Sequence, residues 1–221
     1  MNYFQEFTKH LLEDEKPSRY FNRLKEEGKF PNEFPYNYIL KFEFIEQNHK
    51  HHPEGNVWNH TMQVVDEAAK RKNYSKNPKG FMWAALFHDI GKITTTKTRR
   101  GWITSYDHDK VGGEMIKEVM KSWNIDEDDE FYKYVYYLVR LHMQILFIVK
   151  DNEFADYNLV VKSGIYEDIA LLGICDRLGR GFKSTEEITR EENNINIFKE
   201  RCENYIEKRR RMFKEYNIPE E

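Results

Sequence analysis

From Asn56 onward the apolar residues of this chain recur with the period of an α-helix. Val57, Thr61, Val64, Val65 and Ala68 make one such face, and Phe81, Ala84, Ala85 and His88 make a second. Val111, Met115, Ile116, Val119 and Trp123 form a third; Phe131, Val135, Leu138, His142 and Ile145 form a fourth. Ile165, Ile169, Leu172 and Asp176 give a fifth. The last is long, running through Ile188, Ile195, Phe198, Cys202, Tyr205 and Phe213. Spacing of this kind predicts amphipathic helices. Ser184 with Glu187 predicts a capping box at the start of the last one. Gly91, Gly101, Gly112 and Gly113 fall at or near helix boundaries. Period-two alternation is scarce, and "GWITSY" at 101–106 is the one stretch that predicts a short extended piece. Pro31, Pro35 and Pro53 punctuate the early region, so the N-terminal third is expected to be more irregular. With no internal repeat and no low-complexity linker, the expected class is all-α, a single globular helical bundle.

Polar residues interrupt these stripes. His60 lies between Val57 and Val64, His88 ends its apolar face, and His142 sits between Leu138 and Ile145. Asp176 follows "IALLGIC". A single core histidine has an ordinary explanation, a hydrogen bond to a backbone carbonyl. A buried aspartate is harder to place, because an isolated carboxylate in an apolar site is costly. Four such residues on separate helices are best explained together. Imidazole and carboxylate are the ligand set of a divalent transition metal, which would supply the charge that Asp89 and Asp176 lack. His88 and Asp89, adjacent at a helix end, can approach one ion from two directions. His108, in "SYDHDKVGG", lies within the same series, and His51 and His52 stand just upstream of it.

Composition narrows the class without changing it. The chain has 35 basic and 38 acidic residues, a net charge of −3, which makes no global case for nucleic-acid or membrane binding. Its 14 Tyr, 15 Phe and 4 Trp supply a core despite the high charge. Cys175 and Cys202 form no CxxC and no disulfide framework. "MNYFQEFTKHLLEDEK" lacks an apolar signal core, and the apolar runs are shorter than a membrane span. The expectation is a soluble cytoplasmic protein with no membrane partner; its oligomeric state is not legible.

Four blocks carry a resemblance: "HPEGNVWNHTMQVVDEAA", "ALFHDIGKITTT", "ITSYDHDKVGGEMI" and "ICDRLGRG". Their order resembles that of the HD-domain metal-dependent phosphohydrolases, in particular the HD domain of bacterial tRNA nucleotidyltransferases, the CCA-adding enzymes. The similarity covers 34–182, leaving 183–221 as a C-terminal helical extension expected to pack on the core of one domain spanning 1–221. The residues upstream are too few for a nucleotidyltransferase head, so nucleotide polymerisation is not expected.

The resemblance implies metal ligation by His60, His88, Asp89 and Asp176, with His108 and His142 added in binuclear members. It implies one or two divalent ions, drawn from Mn, Fe, Co, Ni, Zn or Mg. It implies hydrolysis, by metal-activated water, of nucleotide or RNA-end phosphate esters: 2′,3′-cyclic phosphates, 2′-nucleotides and simple phosphomonoesters. Two alternatives stay open. One is a nucleoside mono- or triphosphate hydrolase; the other is a metal-stabilised regulatory or RNA-binding module without turnover. Asp89 is the natural bridge between two ions. Lys92, Arg177 and Arg180 are candidate phosphate contacts, although each is also explained by solvation. His52 is a candidate substrate contact or acid, and Thr61 a candidate substrate contact or support for a ligand. Asp107 departs from the pattern, standing where relatives often have glycine, and an extra acid there would weaken anion binding or serve a second metal. "TTTKTRRGW" is either a basic rim or a plain polar loop. "KRRR" at 208–211 is either an RNA contact or a solvated face partnered by Glu203, Glu207 and Glu215.

Overall fold

Phe4, Phe7 and Leu11 fall on one face of residues 3–13, and Asn2 caps them: its side chain accepts a hydrogen bond from the Gln5 amide. The result is a helix, α1 (Tyr3–Glu13), and a second follows, α2 (Pro17–Glu26), with Pro17 in the first turn. A proline is well placed there, since its missing N–H is one the helix would leave unpaired. The computed structural model describes residues 2–181 and 183–216. Phe182, where the resemblance ends, and residues 217–221 of the extension lie outside them. The expectation of an irregular N-terminal third is therefore corrected for its first half. The reason is aromatic packing: Phe4 stacks on Trp83, Phe7 meets Phe21, Phe30 and Tyr36, and Trp83 Nε1 donates to Thr8 Oγ1 at 2.9 Å.

Irregular chain does occupy 27–56, broken by α3 (Tyr36–Lys41) and a 3-10 turn (Phe42–Phe44). Asn56 then caps α4 (Val57–Ala69), accepting from the Asn59 amide. Asn77 caps α5 (Pro78–Phe87), which is buried at every residue from Gly80 to Phe87. A helix apolar all round belongs in the centre of a core, and α5 is packed by α1, α4 and α8 (Glu130–Leu141). A short α6 (Lys92–Thr95) leads into a two-stranded hairpin, β1 (Lys97–Arg99) and β2 (Trp102–Thr104), antiparallel with Thr98 opposite Ile103. Arg100 and Gly101, both at positive φ, make its turn. The extended piece expected at 101–106 is β2.

Beyond the hairpin come α7 (His108–Ser122), α8, α9 (Gln144–Val149) and α10 (Tyr157–Lys162), then α11 (Tyr166–Leu178) and α12 (Thr185–Glu215). The fourth apolar stripe is two helices rather than one: α8 stops at His142, and Ile145 belongs to α9. The capping box forms as the sequence predicts, with Ser184 Oγ accepting from the Glu187 amide and the Glu187 carboxylate from the Ser184 amide. Ile195, Phe198 and Cys202 bury the inner face of α12 against α11 and α9. Apart from the hairpin, the regular elements of the described residues are all helices, and none of those helices is long and apolar enough to cross a membrane.

Candidate metal centre

Four imidazoles meet in the interior, and each is oriented from behind. His88 Nδ1 donates to Ala85 O at 2.9 Å, His108 Nδ1 to Ser105 O at 2.7 Å and His142 Nδ1 to Val139 O at 2.7 Å. His60 Nδ1 lies 3.2 Å from Gly179 O and 2.9 Å from Glu54 Oε1. Carbonyl and carboxylate oxygens only accept, so every Nδ1 carries a proton. In the neutral ring, Nε2 is then a lone pair. These lone pairs face one another: His60 Nε2 is 3.2 Å from His88 Nε2, and His108 Nε2 is 3.1 Å from His142 Nε2. Acceptors at such distances repel unless a cation, proton or metal, lies among them.

Asp89 stands between the two pairs. Its Oδ2 is 3.6 Å from His60 Nε2 and 3.3 Å from His88 Nε2, while its Oδ1 is 3.3 Å from His108 Nε2 and 3.9 Å from His142 Nε2. Asp176 Oδ1 completes the first group, 3.0 Å from His60 Nε2. His60, His88 and Asp176 thus form one cluster, and Asp89, His108 and His142 a second, each tight enough to hold an ion. Asp89 Oδ2 is shielded from solvent and accepts no aligned hydrogen bond, although Lys92 Nζ sits 2.7 Å away as an ion pair. Converging imidazole lone pairs plus an under-satisfied buried carboxylate fit a divalent transition metal. A cavity of about 270 Å³ opens over this centre, lined among others by Asp89, His108, His142, Asp176, Arg177 and Arg180.

A family model described as HD domain matches residues 57–181, more than half of the chain. The chain belongs to the HD-domain family. That superfamily consists largely of metal-dependent phosphohydrolases, and its domains bind divalent metals. Curated relatives are named Multifunctional CCA protein. One from Actinobacillus pleuropneumoniae serotype 5b (strain L20) is 29% identical over 121 residues, covering 55% of this chain and 28% of the relative. One from Chromobacterium violaceum is 38% identical over 92 residues, covering 42% and 21%. One from Mannheimia succiniciproducens is 25% identical over 188 residues, covering 80% and 43%. The chain thus spans less than half the length of each of these relatives.

In this HD domain the charges of the centre are already balanced in pairs. Burial raises the Asp89 carboxyl, but the Lys92 ammonium and the His88 imidazole outweigh it and hold it well below the usual range. Burial acts on Asp176 in the same way and is outweighed by Arg180, whose Nη2 donates to both carboxylate oxygens at 2.9 and 2.7 Å. Lys92 Nζ also donates to Gln47 Oε1 at 2.6 Å. His142 is pushed down to about 3 by burial and then by His108 and His88.

Around the HD residues, the sequence-based candidates divide. His52 and Arg177 line the cavity with Lys92 and Arg180. Burial pushes His52 down to about 4 against the pull of Glu54, which accepts from its Nδ1 at 2.8 Å. His52 is therefore neutral near pH 7, with Nε2 free to accept; the acid role expected from sequence is not what this arrangement favours. Thr61 is fully buried, one residue on from His60 and so turned about 100° around α4 toward the core. Its hydroxyl has no partner among the described residues, so the expected support for a ligand is absent. Asp107 belongs to neither cluster: its exposed carboxylate pairs with Lys110 at 2.8 Å. It has φ 57, a conformation that glycine adopts without cost. The basic run at 97–100 forms the hairpin, whose Ile103 and Thr104 wall an adjoining cavity. On the "KRRR" run, Arg211 pairs with Glu207 and Arg209 donates to Asn158.

Two contributors escaped the sequence reading. Glu54 holds the Nδ1 atoms of His52 and His60 together, and the pull of those two imidazoles outweighs its burial, leaving it at about 2. Its place in "HPEGN" gave a position but no role. Gly91 lets α7 reach Asp89: a Cβ there would lie 2.0 Å from His108 O. A glycine two residues past Asp89 was the available signal.

Proposed function

We propose that this chain is a metal-dependent hydrolase of nucleotide or RNA-end phosphate esters, of the 2′,3′-cyclic phosphodiesterase, 2′-nucleotidase or phosphomonoesterase type. The observation that carries this is Asp89, whose two oxygens face separate pairs of imidazole nitrogens at the floor of an open cavity. A divalent ion held there would supply Lewis acidity toward a phosphoryl oxygen and lower the pKa of bound water toward neutrality. The residues His60, His88 and Asp176, with Asp89 shared, would hold one ion, and His108 and His142 a second. Because Asp89 is paired with Lys92 and Asp176 with Arg180, each added ion leaves net positive charge, which suits a phosphate dianion.

Arg177 is the better phosphate anchor of the two arginines. Arg180 is committed to Asp176 in a bidentate pair, whereas the contact of Arg177 with Glu191 is only 3.9 Å. Neutral His52, its Nδ1 held by Glu54, leaves Nε2 to accept a hydrogen bond from water or a substrate hydroxyl. Similarity to proteins named Multifunctional CCA protein supports a nucleotide or RNA terminus as substrate.

The test is turnover. Purified protein loaded in turn with Mn, Co, Ni, Fe, Zn and Mg is assayed on 2′-AMP, 2′,3′-cyclic AMP and p-nitrophenyl phosphate. Turnover should need metal, and the double change His88→Ala, Asp89→Ala should remove bound metal and activity together. A folded, demonstrably metal-loaded protein that hydrolyses none of these esters would sink the reading.

A further inference from the structure

Past His108, Met143 and Leu146, the cavity over Asp89 adjoins a larger groove of about 840 Å³. The two spaces share those three residues but differ in charge. Lys92, Lys150, Arg177 and Arg180 line the side over the centre. Asp107, Asp109, Glu153 and Asp156 line the groove. The groove's own cations are already paired, Lys110 with Asp107 at 2.8 Å and Arg140 with Asp109 at 3.0 Å. With those two pairs cancelled, Glu153 and Asp156 leave the groove net negative, and a polyphosphate or an RNA backbone laid along it would meet no free cation among the lining residues.

What the groove offers instead is apolar surface. Met143, Leu146 and Phe147 line it, and two aromatic rings stand at its edge. Tyr106 is 66% exposed and Phe154 55% exposed. Phe154 leans on Phe147 with centroids 5.8 Å apart, and the Arg99 guanidinium lies 5.0 Å from the Tyr106 centroid. Exposed rings of this kind stack on planar heteroaromatics whatever their hydrogen-bonding pattern.

We propose that this groove holds the nucleobase of a nucleoside monophosphate ester whose phosphoryl group lies over Asp89. The inference rests on the phosphohydrolase reading and adds to it an orientation: phosphate toward the arginines, base toward Tyr106 and Phe154. The carboxylates of the groove repel further phosphates there and accept from the amino groups of a base.

Calorimetric titration of metal-loaded protein with adenosine, inorganic phosphate and 2′-AMP, the last as its non-hydrolysable phosphonate analogue, tests it. Wild-type protein should bind 2′-AMP at least tenfold more tightly than phosphate, an advantage that Phe154→Ala or Tyr106→Ala should cut by roughly fivefold to tenfold. Tyr74→Ala, an equally exposed ring outside the groove, should leave the advantage intact. Equal affinity for 2′-AMP and phosphate in the wild type, or an undiminished advantage in the Tyr106→Ala, Phe154→Ala double variant, would overturn the assignment. Adenosine binding lost in the double variant, with no phosphate binding or turnover, would uphold the groove and sink the phosphohydrolase reading. Phosphate binding and turnover without any contribution from the base would do the reverse.

Discussion

At the scale of residues, the centre is controlled by atoms that never touch an ion. Glu54 fixes the Nδ1–H of His60, and through it the direction of the Nε2 lone pair. Removing such a partner typically costs about 10–100-fold in metal affinity. Glu54→Gln should therefore release metal to a competing chelator at about 10–100-fold lower chelator strength than wild type. Unchanged retention would show that the Gly179 carbonyl alone orients His60. Asp107 makes the opposite case. Asp107→Gly relieves a left-handed φ but adds freedom to the unfolded chain, so stability should move by less than about 1 kcal/mol. Metal content should stay constant; its loss would return Asp107 to the ligand set. Of the residues in the two clusters, His60, His88, His142 and Asp176 were legible because a histidine or aspartate on an apolar stripe breaks a rule. Glu54 was not, since it becomes informative only when chain folding brings it against His60.

Among the elements, the centre is a meeting of helix ends. His88 and His142 cap the C-termini of α5 and α8, His108 opens α7, and His60 stands in the first turn of α4. The site therefore depends on how closely those ends approach. Gly91 sets the closest of these contacts, with Gly112 N only 2.7 Å from where its Cβ would stand. Gly91→Ala should push α7 outward and take His108 from Asp89, lowering bound metal from two ions toward one while helix content by circular dichroism stays near wild type. Two retained ions would mean that α7 can shift without loss of the second cluster. Most helices were legible from their period, but the break between α8 and α9 was not. Ile145 continues the stripe of Leu138 as if no break existed, and the Val139 carbonyl that His142 Nδ1 binds is invisible in one dimension. The two N-terminal helices are less legible because Pro31, Pro35 and Pro53, which follow them, dominate the pattern of that region.

On the scale of the molecule, the core decides which groups can react. Cys175 and Cys202 are both buried, and burial pushes each thiol up to about 12. Neither presents a thiolate near neutral pH. A disulfide-exchange reagent at pH 8 should therefore label no thiol in the folded protein and both in urea; rapid labelling of either would show that α11 or α12 opens locally. The same core joins distant parts of the chain. His60 on α4 is completed by Asp176 and the Gly179 carbonyl from α11, whereas Asp89, His108 and His142 lie between them in sequence. Synthesis runs from the N-terminus, so the ribosome releases every residue of the second cluster before it releases Asp176. The nascent chain can assemble the cluster of Asp89, His108 and His142 first, and that of His60, His88 and Asp176 only when α11 emerges and closes over α4.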